Sequence, residues 1–196
     1  GPVWGACDES SPKQCLIAPG ADGHVNIDDR DTVSDDAFCK CIELKTVTIG
    51  SSVTSIGVDA FDRCTNLKTA TILASIKSIG KETFNGCTSL ETVSIPNSVT
   101  SIGDWAFNNC KSLETVSIGN SVTSIGKYAF EYCSSLETVS IPDSVTTIGS
   151  SAFYGCTGLE TLSIPNSVKS IGDRAFSNCV DLVSVMIEGG KELTIN

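Results

Sequence analysis

Histidine is almost missing from this chain: His24 is the only one among 196 residues. One imidazole leaves little of the acid–base and zinc-binding chemistry that histidine carries. Methionine occurs once, and aromatic residues make up 6% of the sequence. No apolar run approaches the ~20 residues that a membrane-spanning helix requires, so membrane insertion is not expected. Basic residues are the minority: 13 Lys and Arg stand against 23 Asp and Glu, a formal net charge of −10. That field repels phosphate backbones and anionic lipid headgroups, which sets nucleic acid and membrane surfaces aside as partners. There is no Gly-x-Gly-x-x-Gly, no Walker sequence and no His-Glu-x-x-His. Serine and threonine are plentiful, yet no histidine lies within residues 32–187 to activate one. The chain is expected to be neither an enzyme nor a holder of a metal or cofactor.

What is present is a period. Phe38, Phe61, Phe84, Phe107, Phe130, Phe153 and Phe176 recur every 23 residues and include every phenylalanine of the chain. Cys41, Cys64, Cys87, Cys110, Cys133, Cys156 and Cys179 follow three residues behind, and leucine and isoleucine columns such as Leu90 and Ile95 keep the same register. A unit of this size cannot enclose a core alone, so seven copies must stack on one another as a solenoid. Within one unit, Leu90, Val93 and Ile95 point inward while Thr92 and Ser94 alternate outward, which predicts a short strand. Pro96-Asn97-Ser98 reads as a turn, and Val99 and Ile102 as a second extended stretch facing in. Gly103, repeated at Gly57, Gly80, Gly126, Gly149 and Gly172, predicts either a positive φ or a tight backbone approach. Ala106, Phe107, Cys110 and Leu113 have the spacing of one or two helical turns.

The set Leu90, Val93, Ile95-Pro96, Val99, Ile102-Gly103, Ala106-Phe107 and Cys110 resembles the BspA-like class of leucine-rich repeats. The resemblance covers about Thr32 to Ile187, and the Ala-Phe-x-x-Cys element is its most specific part. It implies a curved, right-handed leucine-rich-repeat solenoid of the α/β class, strand-rich with short helical turns, and a parallel sheet on the concave side. It also implies a binding scaffold of the adhesion type at a cell surface or outside the cell.

Gly1-Pro2 reads as the scar of a tag-cleaving protease. Residues 3–31 break the period and are expected to cap the first repeat, with His24 to Asp28 as an added strand. Residues 32–187 form the seven repeats, and 188–196 a C-terminal end or cap, with Leu193 and Ile195 as its apolar residues. The column cysteines are expected to be buried free thiols, since their Cβ vectors run parallel. Cys7, Cys15 and Cys39 lie outside that column. Cys39 follows Phe38 in a column expected to be exposed (Asp62, Asn85, Asn108 in later units), so it is expected to pair with Cys7 or Cys15 and leave one thiol over.

Three exposed surfaces are candidates for function. The first is a hydroxyl-covered concave face carrying Thr92, Ser94, Thr115, Ser117, Thr138 and Ser140, bordered by the glutamates Glu91, Glu114, Glu137 and Glu160. It suits a protein or glycan ligand, or, as the alternative, ice binding or a purely structural role. The second is an aromatic flank. Trp105 and Tyr128 occupy one column in adjacent repeats, and Tyr132 and Tyr154 lie in nearby columns. Clustered exposed aromatics mark interaction sites. The third, the acidic run Asp28, Asp29, Asp31, Asp35 and Asp36, matches no EF-hand spacing and is read as a solvated cap.

Overall fold

The computed structural model describes residues 7, 10 and 12–188. Alternation of apolar and hydroxyl residues produces eight short strands. These are His24–Ile27, Thr46–Ile49, Thr69–Ile72, Thr92–Ser94, Thr115–Ser117, Thr138–Ser140, Thr161–Ile164 and Ser184–Ile187, all parallel and hydrogen-bonded in that order. The cap therefore adds a strand to the seven of the repeats, with Val25 and Ile27 buried as expected. Pairing keeps the 23-residue register, Thr92 opposite Thr115 and Ser94 opposite Ser117. The second extended stretch of each unit builds a narrower parallel sheet from Ser78–Ile79 through Ser170–Ile171, and Thr32–Val33 pairs with Ser55–Ile56. Between the two stretches the chain reverses through the expected turn, where the Val99 amide donates to the Pro96 carbonyl at 3.1 Å.

The remaining arc of each unit corrects the expectation of helical turns. Among the described residues no α-helix forms, and the arc is a succession of tight turns. Residues two before and two after each phenylalanine adopt positive φ, Trp105 at 53° and Asn109 at 58°, for example. A left-handed residue interrupts the helical ladder and turns alternate N–H groups along the stack. The amides of Asp36, Phe38 and Lys40 donate forward to the carbonyls of Val58, Ala60 and Asp62, while those of Ala37, Cys39 and Cys41 donate three residues back. Twelve non-glycine residues hold this conformation, each at a cost of about 1–3 kcal/mol. In the six coils from Phe38 to Phe153 the stack sustains them because each amide so displaced finds a carbonyl in the next coil.

The Gly103 column resolves to close approach: a Cβ on Gly103 would lie 2.7 Å from the carbonyl carbon of Gly80, and one on Gly126 2.6 Å from that of Gly103. In the interior the seven phenylalanine rings pile face to face, with centroids 5.1–5.4 Å apart and planes within 9°. Each thiol of the cysteine column donates to the carbonyl of the phenylalanine 26 residues earlier, Cys110 to Phe84 at 3.2 Å and Cys133 to Phe107 at 3.2 Å. The thiols thus act as hydrogen-bond donors as well as apolar filling.

The first member of that column departs from the rest. Cys41 is bonded to Cys15, and Cys7 to Cys39, so no cap thiol is left over and six cysteines are free. The position 26 residues before Cys41, a phenylalanine in every later unit, is Cys15 itself. Residues 14–16 run along the first arc, the Gln14 amide donating to Cys39 and that of Leu16 to Ala37, which brings the sulfurs together. Cys39 is buried, as are Asp62 and Asn108 of its column, because the left-handed residues fold that column under the arc. Leu193 and Ile195 lie outside the described residues. The last unit is more open: Phe176, Cys179 and Leu182 are only partly buried, and Val183 and Met186 are 83% and 64% exposed.

Candidate functional site

The column two residues before each phenylalanine runs Asp36, Asp59, Glu82, Trp105, Tyr128, Ser151, Arg174, and positive φ is common to all seven positions. Stacking of the repeats lays Trp105 on Tyr128, with ring centroids 4.9 Å apart and planes within 9°. The Lys81 ammonium stands 5.6 Å from the Trp105 ring, in the repeat on the side opposite Tyr128. Both faces of the indole are therefore occupied, a cation–π contact on one and a ring on the other. Lys81 is a contributor that reading single columns did not reveal, since it lies one position beside Glu82. Both aromatic residues are half-buried. A cleft of about 420 Å³ lies on the Trp105 side, lined by Arg63, Glu82, Asn85, Asn109 and Lys111. On the Tyr128 side a second cleft of about 360 Å³ is lined by Lys127, Tyr128, Ser150, Ser151, Asp173 and Arg174.

Tyr132 and Tyr154 form a separate pair, edge to face at 5.6 Å and 87°. Gly155 leaves space for the Tyr132 ring, which a Cβ there would meet at 2.7 Å. The Asn178 amide donates to the Tyr154 hydroxyl at 2.6 Å. The four aromatic residues are thus two pairs built on different columns.

The hydroxyl face is as the alternation requires: Thr92, Ser94, Thr115, Ser117, Thr138 and Ser140 are all exposed. A cleft of about 540 Å³ crosses its first repeats, between Thr69 and Ser117. Glu91, Glu114, Glu137 and Glu160 are exposed beside it, and Glu91 meets Lys68 at 3.6 Å.

The acidic cap divides. Asp28, Asp29, Asp31 and Asp35 are solvated, but Asp36 is buried, together with Asp59 and Asp62 of the next repeat. One carboxylate oxygen on each of the three lacks a hydrogen-bond partner among the described residues. Asp59 accepts from the Cys7 amide at 3.4 Å, and Asp62 accepts from the Asn85 amide at 2.8 Å with the Arg63 guanidinium 3.6 Å away. Burial, reinforced by the charge of Glu82, pushes Asp59 up to about 6. Burial pushes Asp62 up to about 7 against the pull of Arg63. Burial likewise raises the thiols of Cys87 and Cys110 well above the ordinary cysteine value. Among the described residues, two groupings have metal-ligating atoms in reach, Cys7–Asp36–Cys39 and Cys15–Cys41–Glu43, and the sulfurs of both are joined as disulfides.

Parallel strands in unbroken register, a filed phenylalanine core and hydroxyl-bearing outer positions define a leucine-rich-repeat solenoid, a class that presents surfaces rather than enclosed pockets. The BspA-type leucine-rich repeat region matches in six copies over residues 24–137 and 123–195, and the chain belongs to that family. It is similar to a leucine-rich cell surface protein from Faecalibacterium prausnitzii A2-165, at 29% identity and a TM-score of 0.62 over 82% of this chain and 52% of that one. It is also similar to the T. pallidum leucine-rich repeat protein, at 30% identity and a TM-score of 0.62 over 86% of this chain and 72% of that one. The chain thus spans about half the length of the first of these solved structures. No curated protein sequence matches it. No helix among the described residues is long and apolar enough to cross a membrane.

Proposed function

We propose that this protein is a non-enzymatic binding scaffold, working at a cell surface or outside the cell, that takes a protein or glycan ligand through its aromatic flank. The observation that carries this reading is the Trp105–Tyr128 stack with a polar cleft on each side. Half-buried, pre-stacked rings lose little side-chain entropy on binding. They supply the aromatic anchors around which binding energy concentrates. Adhesion to a host or matrix macromolecule is the role this arrangement suits. The two cap disulfides favour an oxidising compartment, and the cell-surface description of the Faecalibacterium relative supports the same location.

The hydroxyl face is the second reading, supported by its 540 Å³ cleft. Glycan and matrix-protein arrays probed with Trp105→Ala/Tyr128→Ala and with Thr115→Lys/Thr138→Lys separate the two. Loss of binding confined to the first variant is the expected result. Loss confined to the second moves the site to the strands, and thermal hysteresis by the wild type points to ice binding instead.

A further inference from the structure

The aromatic column is interrupted at one place. Trp105 and Tyr128 stack at 4.9 Å, close to the spacing of the phenylalanine file inside. The next residue of the column, Ser151, carries only a hydroxymethyl group, and beyond it stands Arg174. Parallel coils repeat at ~4.8 Å, so Tyr128 and Arg174, two coils apart, flank a gap about one ring thick. The gap is the 360 Å³ cleft, with Ser151 buried at its floor. It adjoins the Tyr128 face that Trp105 does not cover.

The chemistry of the walls selects the occupant. Apart from the Tyr128 ring, the cleft is lined by Lys127, Ser150, Ser151, Asp173 and Arg174. Among the described residues the side chains of Lys127, Asp173 and Arg174 make no ion pair or hydrogen bond. An apolar anchor inserted from a partner protein would satisfy none of these polar groups, which stand exposed around the ring. A polyanionic chain would meet the field of a protein of net charge −10. A neutral pyranose satisfies both conditions. Its C–H face lies on the Tyr128 ring, and its hydroxyls donate to the Asp173 carboxylate and accept from Arg174 and Lys127. We propose that the cleft over Ser151 is a subsite for one uncharged hexopyranose ring of a glycan, which fills the vacancy in the aromatic column. This assignment rests on the aromatic-flank reading and narrows it to one ligand class.

The column supplies its own test. Trp105 and Tyr128 hold the φ of Ser151 and the same forward amide bond, so Ser151→Tyr fits the fold and fills the vacancy from within. The probes are the methyl glycosides and tetrasaccharides of glucose, galactose, mannose and N-acetylglucosamine, followed by saturation-transfer NMR and calorimetry. At least one is expected to bind wild type with transfer into the pyranose C–H protons. Ser151→Tyr is expected to weaken that binding about tenfold or more, a loss of ~1.4 kcal/mol, with an unchanged melting temperature. Arg174→Ala is expected to weaken it less. Wild-type affinity in Ser151→Tyr, or no binding of any probe, overturns the subsite. If a protein or an anionic glycan on the arrays is instead lost with Trp105→Ala/Tyr128→Ala, the flank reading stands and the pyranose assignment falls. If an array ligand is retained by both sets of variants, both readings fall.

Discussion

Replacing Asp62 by asparagine should make this protein more stable at neutral pH, and the effect should vanish in acid. The Asp62 carboxylate is fully buried beneath the arc, with one oxygen bound by the Asn85 amide and the other lacking a hydrogen bond. The charges around it are Arg63, Asp59 and Glu82. In the folded chain it holds its proton to about pH 7, against 3.8 for the ordinary carboxyl. Folding therefore takes up a proton between those values, and by linkage stability falls as pH rises through this window and is flat above it. A shift of about three units at ~1.4 kcal/mol each sets an upper bound near ~4 kcal/mol, so the penalty at about pH 8 is on the order of 2–4 kcal/mol. Asparagine keeps the acceptor for Asn85 and removes the ionisation. The neighbouring column members Asn85 and Asn108 show that the site takes an amide. Urea unfolding of both proteins at stepped pH measures the difference, from which the titrations of groups not coupled to Asp62 cancel. Asp62→Asn should gain over wild type steadily from about pH 4.5 to about pH 7 and plateau. A difference that stays flat over that range, or a variant less stable than wild type at about pH 8, would refute the reasoning.

Phe107→Ala, which removes a fully buried ring stacked on both sides, should cost ~3–5 kcal/mol. Phe176→Ala should cost about half as much, because that ring is partly exposed and has one stacked neighbour; equal losses in denaturant titration would contradict the stacked core. Alkylation of the unfolded, unreduced protein should label six of the ten cysteines, while the buried thiols of the native state stay unlabelled. Reduction of the two bridges, which close separations of 32 and 26 residues, should cost about 3–4 kcal/mol each in a chain-entropy estimate; eight or ten labelled cysteines before reduction would show a bridge to be missing.

The 23-residue register alone determined that equivalent side chains lie over one another, and with it the phenylalanine file, the inward Val and Ile, the hydroxyl face and the meeting of Trp105 with Tyr128. A constant period leaves no other arrangement in which every unit buries its apolar edge. Tertiary structure decided what depends on contacts between coils. Ala106 to Leu113 have helical spacing, but the forward amide bonds to the next coil outweigh the local ladder and twist Trp105 and Asn109 into positive φ. That same twist hides Cys39 and Asp62, which looked exposed by position. The partner of Cys41 followed from where residues 14–16 lie along the first arc, a long-range docking that no period encodes. The vacancy over Ser151 is likewise a relation among three coils: its residues are legible one by one in the sequence, and its width is set only when they stack.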